Sequence, residues 1–351
     1  MPYQSIVDAT ELPRLVRLGP NLYGAVFSLM KLLPARFMID RAEDRGALGT
    51  GTTIIETSSG TFALGLAMVA RLRGYQLKIV GDPAIDRNLR MRLRGLGADV
   101  EIVERAGAQG GYQQARLDRV AELCEQIPDH FVPGQYDNKD NPTAYGRVAE
   151  LVGDALGHVD CLVGPVGSGG STGGLASFLR LANPGLHLVG VDTHGSVIFG
   201  MEDRPRLVRG LGNSLLPANV RHDAYDEVHW VNAAETFRAT RDLHERKALF
   251  MGATSGAAHL VAQWWAARNP GAKVVVMLPD EGNRYQETVY SEEWLHANGV
   301  LADRVPDAPH REDHPRSAGP DWSWMPWGRR TLDEVLAAAP AHGLAGSGAA
   351  V

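Results

Sequence analysis

Residues 53–68, TIIETSSGTFALGLAM, decide the fold of this chain. Four residues of β-strand character lead into the polar turn 57–61, and an Ala- and Leu-rich helical pattern starts at that turn. The first N–H groups of a helix lack intrahelical partners and carry partial positive charge, and Gly60 lets a ligand approach the backbone closely. The stretch therefore predicts a β-turn-α unit whose turn is either a plain helix cap or a site for a carboxylate or phosphate.

Composition narrows the classes of protein. The chain has 351 residues, 44% of them hydrophobic, and a formal net charge of −6, which suits two α/β domains and argues against a nucleic-acid-binding face. The arginines within 87–94 have the spacing of a solvated helix face. Cys124 and Cys161 have neither disulfide nor zinc spacing, so we predict that both are buried, and the twelve histidines show no metal-ligand spacing.

Targeting and membrane signals are weak. No stretch approaches the ~20 apolar residues that a membrane span needs. The first residues, MPYQ, do not resemble a signal peptide. We therefore expect a cytoplasmic protein without a membrane or nucleic-acid partner.

Strands and helices alternate from residue 51 onward. Repeated βα units predict mostly parallel, twisted sheets covered by helices on both faces, with ligands at the carboxyl ends of the strands. The predicted strands are 52–56, 77–81, 99–103, 131–132, 160–164, 187–192, 228–231 and 273–278. The predicted helices are 61–73, 86–96, 112–127, 143–156, 174–181, 233–246 and 255–268.

We divide the chain into four parts. Residues 1–34 are expected to pack with the larger domain, 35–146 to form a smaller α/β substrate-carboxylate domain, and 147–302 a larger α/β cofactor-phosphate domain. Residues 303–351 are a Pro- and Trp-rich tail, which we expect to lie on the body or a partner through its tryptophans and then to fray.

A second glycine-rich loop lies at residues 163–174, VGPVGSGGSTGG, between an apolar strand and a helix. Closely spaced glycines allow successive N–H groups to converge on a phosphate. The loop lacks the Lys-Ser/Thr ending of a nucleotide P-loop and the context of a dinucleotide fingerprint. A single phosphate monoester fits it better.

Lys31 lies in the apolar run SLMKLLPA. Lysine is seldom wholly buried without a partner, so this position favours a chemical role, although a lysine with a solvated head group is the alternative. The other four lysines begin or lie in strands or have charged neighbours. A lysine, a phosphate loop and a hydroxyl-lined turn together suggest pyridoxal phosphate, which binds lysine as a Schiff base.

Taken together, these segments resemble the cysteine synthase family. This family is the β-substituting branch of the fold-type II, tryptophan synthase β-like, pyridoxal phosphate enzymes, and it includes cystathionine β-synthase. The resemblance covers about residues 12–295, and with its run LMKLLPAR the chain looks more like a divergent side branch, such as the S-sulfocysteine synthase type, than a housekeeping enzyme. It is carried by Lys31 with 38–46, the strand and turn 51–61, Gln135 with 141–142, the loop 167–171, and the segments 209–213, 252–258 and 278–285.

The resemblance implies roles for particular residues. Lys31 would be the catalytic residue and bind the cofactor. The other implied cofactor-binding residues are Thr61, Gly167, Ser168, Gly169, Gly170, Ser171 and Thr254, the last at the pyridine nitrogen. The implied substrate-binding residues are Ser58, Ser59, Gly60, Thr61, Gln135, Arg209 and Gly210. A homodimer is also implied.

The implied reaction is β-substitution on an activated L-serine, O-phosphoserine or O-acetylserine, through an aminoacrylate intermediate. A sulfur nucleophile, sulfide or thiosulfate, would give L-cysteine or S-sulfocysteine. A phosphorylated donor would need a cation near its leaving group, and either Arg209 or Arg206 could supply it unless both are surface residues. The alternatives are an amine nucleophile giving a diaminopropionate-type product, a lyase or dehydratase reaction, and a binding protein without catalysis.

Two departures from the family pattern affect the site. Thr61 stands where the family has an asparagine that contacts the cofactor ring hydroxyl, and Leu32 and Leu33 replace the Asp-Arg pair that usually follows the lysine. A threonine has a single hydroxyl and a shorter reach than an asparagine. We therefore expect a site tuned for a different donor, nucleophile or reaction.

Overall fold

The computed structural model describes residues 2–107 and 111–338. The helices in them are α1 Ile6–Thr10, α2 Leu32–Asp44, α3 Thr61–Arg73, α4 Arg87–Gly95, α5 Gly111–Gln126, α6 Asp140–Thr143, α7 Gly146–Leu156, α8 Gly170–Ala182, α9 Ala233–Lys247, α10 Ala253–Arg268, α11 Glu292–Ala297 and α12 Leu332–Ala337. The strands are β1 Arg14–Arg17, β2 Leu22–Val26, β3 Thr53–Thr57, β4 Gln76–Gly81, β5 Asp99–Ile102, β6 His130–Phe131, β7 Cys161–Pro165, β8 His187–Thr193, β9 Glu227–Val231, β10 Val274–Leu278, β11 His310–Arg311 and β12 Ser323–Pro326.

The chain forms two sheets. The larger has eight strands in the order β1-β2-β10-β7-β8-β9-β12-β11, and its centre from β2 to β9 is parallel. The smaller has four parallel strands in the order β5-β4-β3-β6. Buried clusters lie on both faces of each sheet, which gives two αβα layers and confirms the predicted α/β class with mostly parallel sheets.

The predicted elements agree with the structure to within one or two residues at most ends. The helix predicted at 61–73 has those bounds, and the strand predicted at 52–56 is β3. The largest differences are at α7 and α8. Helix α8 begins four residues earlier than predicted because Gly170, Ser171 and Thr172 form its first turn, although a run of glycines and hydroxyl residues is usually typical of a loop.

The C-terminal stretch contributes more than a surface tail. Strand β12 pairs antiparallel with β9, and β11 pairs with β12, so this stretch completes one edge of the larger sheet. Trp322 and Trp327 are 1% and 0% exposed, so they belong to the core. The stretch lies on the body of the same chain, and the fraying predicted for its last ten residues falls outside the described residues.

Three minor predictions can also be compared. Cys161 is buried as predicted, but Cys124 is only partly buried, because α5 leaves one side in contact with solvent. Along α4 the arginines are exposed or half-buried, and Leu89 and Leu93 face the core. Among the residues described, no helix has the length and apolar character needed to traverse a bilayer.

Candidate functional site

Lys31 lies between the two hydrophobic cores. Leu32 is buried in the core of the smaller sheet and Leu33 in that of the larger, so the two leucines fix the backbone on either side of the boundary. Gly65 of α3 packs on this backbone, and a Cβ there would lie 2.9 Å from the Lys31 carbonyl oxygen. The residues that replace the usual Asp-Arg pair therefore anchor the lysine by packing.

The Lys31 side chain points toward the glycine-rich loop. Its Nζ donates a hydrogen bond to Ser168 Oγ at 3.0 Å. Burial lowers the pKa of Lys31 to about 8, and none of the described carboxylates forms an ion pair with it. The amine of Lys31 therefore contacts the predicted phosphate loop, and it loses its proton more readily than the amine of an ordinary lysine.

The glycine-rich loop connects β7 with α8. Gly169 has a φ of +80°, which favours glycine, and it turns the chain into the helix. Within the described residues, the N–H groups of Gly167, Ser168 and Gly169 donate no hydrogen bond to the protein. Together with the unpaired N–H groups of the first turn of α8, they form a cradle that fits the phosphate of pyridoxal phosphate.

Asn141 supports this loop from the smaller half of the chain. It is 0% exposed, and its Nδ2 donates to Gln135 O at 2.6 Å and to Ser168 Oγ at 3.4 Å. A Cβ on Gly170 would lie 2.6 Å from Asn141 Nδ2. Gly170 is therefore required by the close packing of α6 on α8, and Asn141 connects the loop with the predicted substrate glutamine.

Gly210 and Thr254 lie close together beside the same loop. A Cβ on Gly210 would be 3.5 Å from Thr254 Cγ2, and a Cβ on Gly167 would be 3.1 Å from Gly210 O. Thr254 lies in the first turn of α10 and is 5% exposed. The structure thus brings the predicted pyridine-side hydroxyl, the glycine segment and the phosphate loop together, as a ring-shaped cofactor requires.

In the turn after β3, the two serine hydroxyls bind backbone groups of the protein, whereas the sequence predicted that they bind the substrate. Ser58 Oγ accepts hydrogen bonds from the N–H groups of Gly60 and Ala63, at 3.2 and 3.3 Å. Ser59 Oγ accepts from Asp82 N at 3.0 Å. Both hydroxyls therefore shape the turn. The N–H of Thr61 donates no hydrogen bond within the described chain, so the anion site that this turn can form is built mainly from backbone groups.

The remaining predicted residues occupy different positions. Gln135 is 6% exposed and its Nε2 donates to Thr57 O at 3.2 Å, next to the turn. Arg206 is engaged by Gly195 O, Asp203 and Ser214, so it is not free to bind a leaving group. Arg209 is exposed, precedes Gly210 and lies near Asp82 and Arg284 at the rim of the site.

Sequence reasoning missed two buried charged residues beside the turn. Arg116 of α5 is 8% exposed and donates from Nη1 to Ser59 Oγ at 3.0 Å. Glu56 is 1% exposed and ends β3. A carboxylate within the apolar strand TIIET was a usable signal for Glu56. Arg116 had none, because α5 carries charges along most of its length.

Comparisons with known proteins support a pyridoxal phosphate site. The model of the family "Pyridoxal-phosphate dependent enzyme" matches residues 29–280. The N-(2-amino-2-carboxyethyl)-L-glutamate synthase of Ralstonia nicotianae is 36% identical over 307 residues, which are 83% of this chain and 91% of that protein. The enzyme of the same name from Cupriavidus metallidurans is 33% identical over 313 residues, or 84% and 92% of the two chains.

A solved structure has the same architecture. The O-acetylserine dependent cystathionine beta-synthase from Helicobacter pylori superposes with a TM-score of 0.77 at 27% identity, covering 83% of this chain and all of that one. The fold is therefore that of the fold-type II, cysteine synthase-like enzymes, and the predicted cofactor is confirmed as that of the family. Because the family model matches residues 29–280 and the two relatives are more than 30% identical over most of their length, this chain belongs to the family of pyridoxal-phosphate dependent enzymes.

Proposed function

We propose that this protein joins the amine of an acidic amino acid to the β-carbon of an activated L-serine, giving a diaminopropionate-type product. The observation that carries pyridoxal phosphate chemistry at this site is the contact of the Lys31 amine with Ser168 of the phosphate loop. The two relatives support the amine, since the product in their name is a glutamate whose nitrogen carries a 2-amino-2-carboxyethyl group. The sulfur nucleophile preferred from sequence becomes the second candidate.

Lys31 is the proposed general base. When bound, pyridoxal phosphate withdraws electrons from the α-carbon of an amino acid, which makes the proton there acidic. The lowered pKa of Lys31 keeps a substantial fraction of its amine neutral near physiological pH. The neutral amine removes the α-proton, and the ammonium that results can return a proton to the same carbon at the end of the reaction.

The turn 57–61 and Gln135 are proposed to hold the donor's carboxylate. The N–H of Thr61, which has no acceptor among the described residues, and the positive end of α3 attract a carboxylate, and the Gln135 amide lies beside the same turn. Binding there would place the α-carbon between the turn and Lys31. In the described residues the Ser58 and Ser59 hydroxyls accept hydrogen bonds from the protein, whereas the Thr61 hydroxyl accepts none and is only partly buried, so it remains available to the ligand.

Arg116 favours a donor with a phosphate leaving group. Arg116 is a buried cation next to the carboxylate turn, and its Nη1 lies 3.3 Å from Asp82 Oδ2. Its Nε has no hydrogen-bond partner among the described groups, so the guanidinium can still donate to a ligand. A guanidinium binds phosphate through several parallel hydrogen bonds. We therefore place O-phosphoserine ahead of O-acetylserine as the donor.

Arg209 is proposed to bind the acid group of the incoming amine. In the described chain it forms no ion pair within 4 Å, whereas the neighbouring Arg284 is held by Asp86 at 2.7 Å. Its position before Gly210 places it at the rim of the site, where the second substrate enters. An exposed, unpaired arginine there can select an amine that carries an additional carboxylate.

Arg209→Ala is expected to raise the KM for L-glutamate at least ~10-fold, which corresponds to about 1.4 kcal/mol. The KM for a neutral amine should change much less, because that amine lacks the paired carboxylate. The matched control is Arg204→Ala, an exposed arginine of the same segment that pairs with Glu202. Equal losses with acidic and neutral amines, measured by steady-state kinetics, would refute the role of Arg209.

The function itself is tested with the purified, cofactor-loaded protein. It is incubated with O-phosphoserine or O-acetylserine, and with L-glutamate, sulfide or thiosulfate, and the products are identified by mass spectrometry. We expect the glutamate adduct from O-phosphoserine. Cysteine or S-sulfocysteine as the efficient product would support the sulfur candidate, which likeness to the O-acetylserine dependent enzyme favours. Pyruvate as the main product with every acceptor would indicate a lyase.

Cofactor uptake should depend on pH through Lys31. Only the neutral amine attacks the aldehyde of pyridoxal phosphate, and the neutral fraction grows as pH rises through the pKa of about 8. The rate constant for uptake by the apo-protein, followed by absorbance and divided by that of Nα-acetyl-lysine, should be constant below about pH 7 and decline above about pH 8, where only the free lysine continues to lose protons. A constant ratio across the range would show that Lys31 behaves as an ordinary lysine.

A further inference from the structure

Glu56 is a buried carboxylate with an unusual set of partners. It is 1% exposed at the carboxyl end of β3, immediately before the carboxylate turn. No lysine, arginine or histidine of the described residues lies within 4 Å of it in an ion pair. Buried carboxylates are ordinarily paired with a cation, so the retention of this one requires another explanation.

The Glu56 carboxylate joins two backbone segments of the site. Its Oε1 accepts a hydrogen bond from Thr57 N at 2.7 Å, and its Oε2 accepts one from Gly134 N at 2.8 Å. In return, Gln135 Nε2 donates to Thr57 O at 3.2 Å. One carboxylate therefore holds both the start of the turn and the residue that precedes the substrate glutamine.

Without Glu56, few other contacts would hold these segments together. Strands β3 and β6 pair only at Thr53 with His130 and at Ile54 with Phe131, and the ladder ends there. Past this point the chain departs from the sheet and turns at Gly134, which has a φ of +67°. The side chain of Glu56 therefore takes over from the backbone ladder where the two segments separate.

The ionised form of Glu56 is the one that suits these contacts. Burial raises the pKa of Glu56 to about 7, and the nearby Asp137 adds to this, while the N–H groups of Thr57 and Gly134 act in the opposite direction. Tyr136 is the other titratable group facing it, and Arg116 lies beyond Tyr136. Below about pH 7 the added proton would turn one acceptor oxygen into a donor that faces an N–H group.

We propose that Glu56 is a positioning residue that holds Gln135 and the turn 57–61 in the arrangement that binds the carboxylate of the amino-acid donor. This role rests on the proposed function only in assigning the donor's carboxylate to this turn. It does not depend on which leaving group or nucleophile is used. It predicts that disturbing Glu56 weakens donor binding, whereas cofactor binding is unaffected.

The experiment compares wild type, Glu56→Gln and Glu56→Asp as cofactor-loaded proteins. The binding probe is L-serine, which has the donor's carboxylate but no activated leaving group, and its Kd is read from the absorbance of the bound cofactor. Amide hydrogen exchange of residues 134–136 reports the attachment of the glutamine segment. The matched control is Glu122→Gln, because Glu122 is an exposed residue of α5 that pairs with Arg119.

At pH 8 we expect the Kd for L-serine to rise at least ~10-fold in Glu56→Gln, with faster exchange at 134–136 and unchanged cofactor affinity. Serine binding weakens at low pH in both proteins because its own amine becomes protonated, so the two are compared as a ratio: the Kd of Glu56→Gln divided by that of wild type should fall as the pH is lowered from 8 to 6, where Glu56 itself is protonated. If the variant does not fold, wild type alone still tests the proposal, because the protection factors of the amides of residues 134–136, which are corrected for the intrinsic pH dependence of exchange, should fall between pH 8 and pH 6. Normal serine binding with faster exchange, or with a lower thermal midpoint alone, would reduce Glu56 to a structural role and overturn the proposal.

These outcomes are separate from a failure of the proposed reaction. Serine binding and hydrogen exchange need no turnover, so they can support Glu56 even if no product forms with any amine. Conversely, the glutamate adduct could form normally in Glu56→Gln, with an unchanged Kd for L-serine. That result would leave the proposed function standing and remove the positioning role.

Discussion

Lys31→Ala is expected to lower turnover by at least ~10³-fold, because the variant loses both the proposed general base and the covalent anchor of the cofactor. The lysine is oriented for this role by the buried leucines that follow it and by its hydrogen bond to Ser168 Oγ. The free energy of unfolding should change little, since the substitution removes a partly enclosed amine that has no ion pair in the described chain.

The control for this experiment is Lys247→Ala, an exposed lysine at the end of α9. It should retain normal turnover and the visible absorbance of a bound cofactor. Borohydride reduction followed by peptide mass mapping identifies the residue that carries the cofactor in wild type. Attachment to a peptide other than the one with Lys31, or near-normal turnover of Lys31→Ala, would contradict the assignment.

Much of the fold follows from local patterns. Strand β3 and helix α3 were predicted closely because a short β-branched run, a polar turn and an apolar helical stretch agree with one another. Strand β12 was not predicted, because its pairing with β9 joins residues about a hundred positions apart, and its Pro- and Trp-rich sequence is not typical of a strand. Such long-range pairing is decided by tertiary contacts rather than by propensity.

The candidate site shows the same division. Lys31 and the loop 167–171 were identifiable because each has an unusual local composition that suggests its chemistry. Residues 141–142 belonged to the family resemblance, but the role of Asn141, like that of Arg116, could not be predicted, since it comes from burial against partners far away in sequence. Ser58 and Ser59 were expected to bind the substrate, but their hydroxyls accept hydrogen bonds from backbone N–H groups. A serine at a turn can stabilise the backbone as readily as it binds a ligand, and its sequence context does not distinguish the two.

Gly170→Ala should weaken pyridoxal phosphate binding at least ~10-fold and lower the free energy of unfolding by about 1–3 kcal/mol, as expected for an overpacked site. The new methyl group would meet the amide of Asn141, which is fully buried and cannot move away freely. Displacing that amide would disturb its hydrogen bonds to Gln135 O and Ser168 Oγ. A single methyl group would therefore perturb both the phosphate cradle and the attachment of the substrate glutamine.

Gly173→Ala is the matched control, because Gly173 lies three residues further along α8 and a Cβ there would have no neighbour within 4 Å. Replacing this helical glycine should leave cofactor affinity unchanged and stabilise the fold by about 0.5–1 kcal/mol. The two variants differ only in where the methyl group points, so urea unfolding of the apo-proteins and cofactor titration separate the cradle from general helix effects. If both variants bound the cofactor as wild type does, the glycine-rich loop would not be the phosphate site.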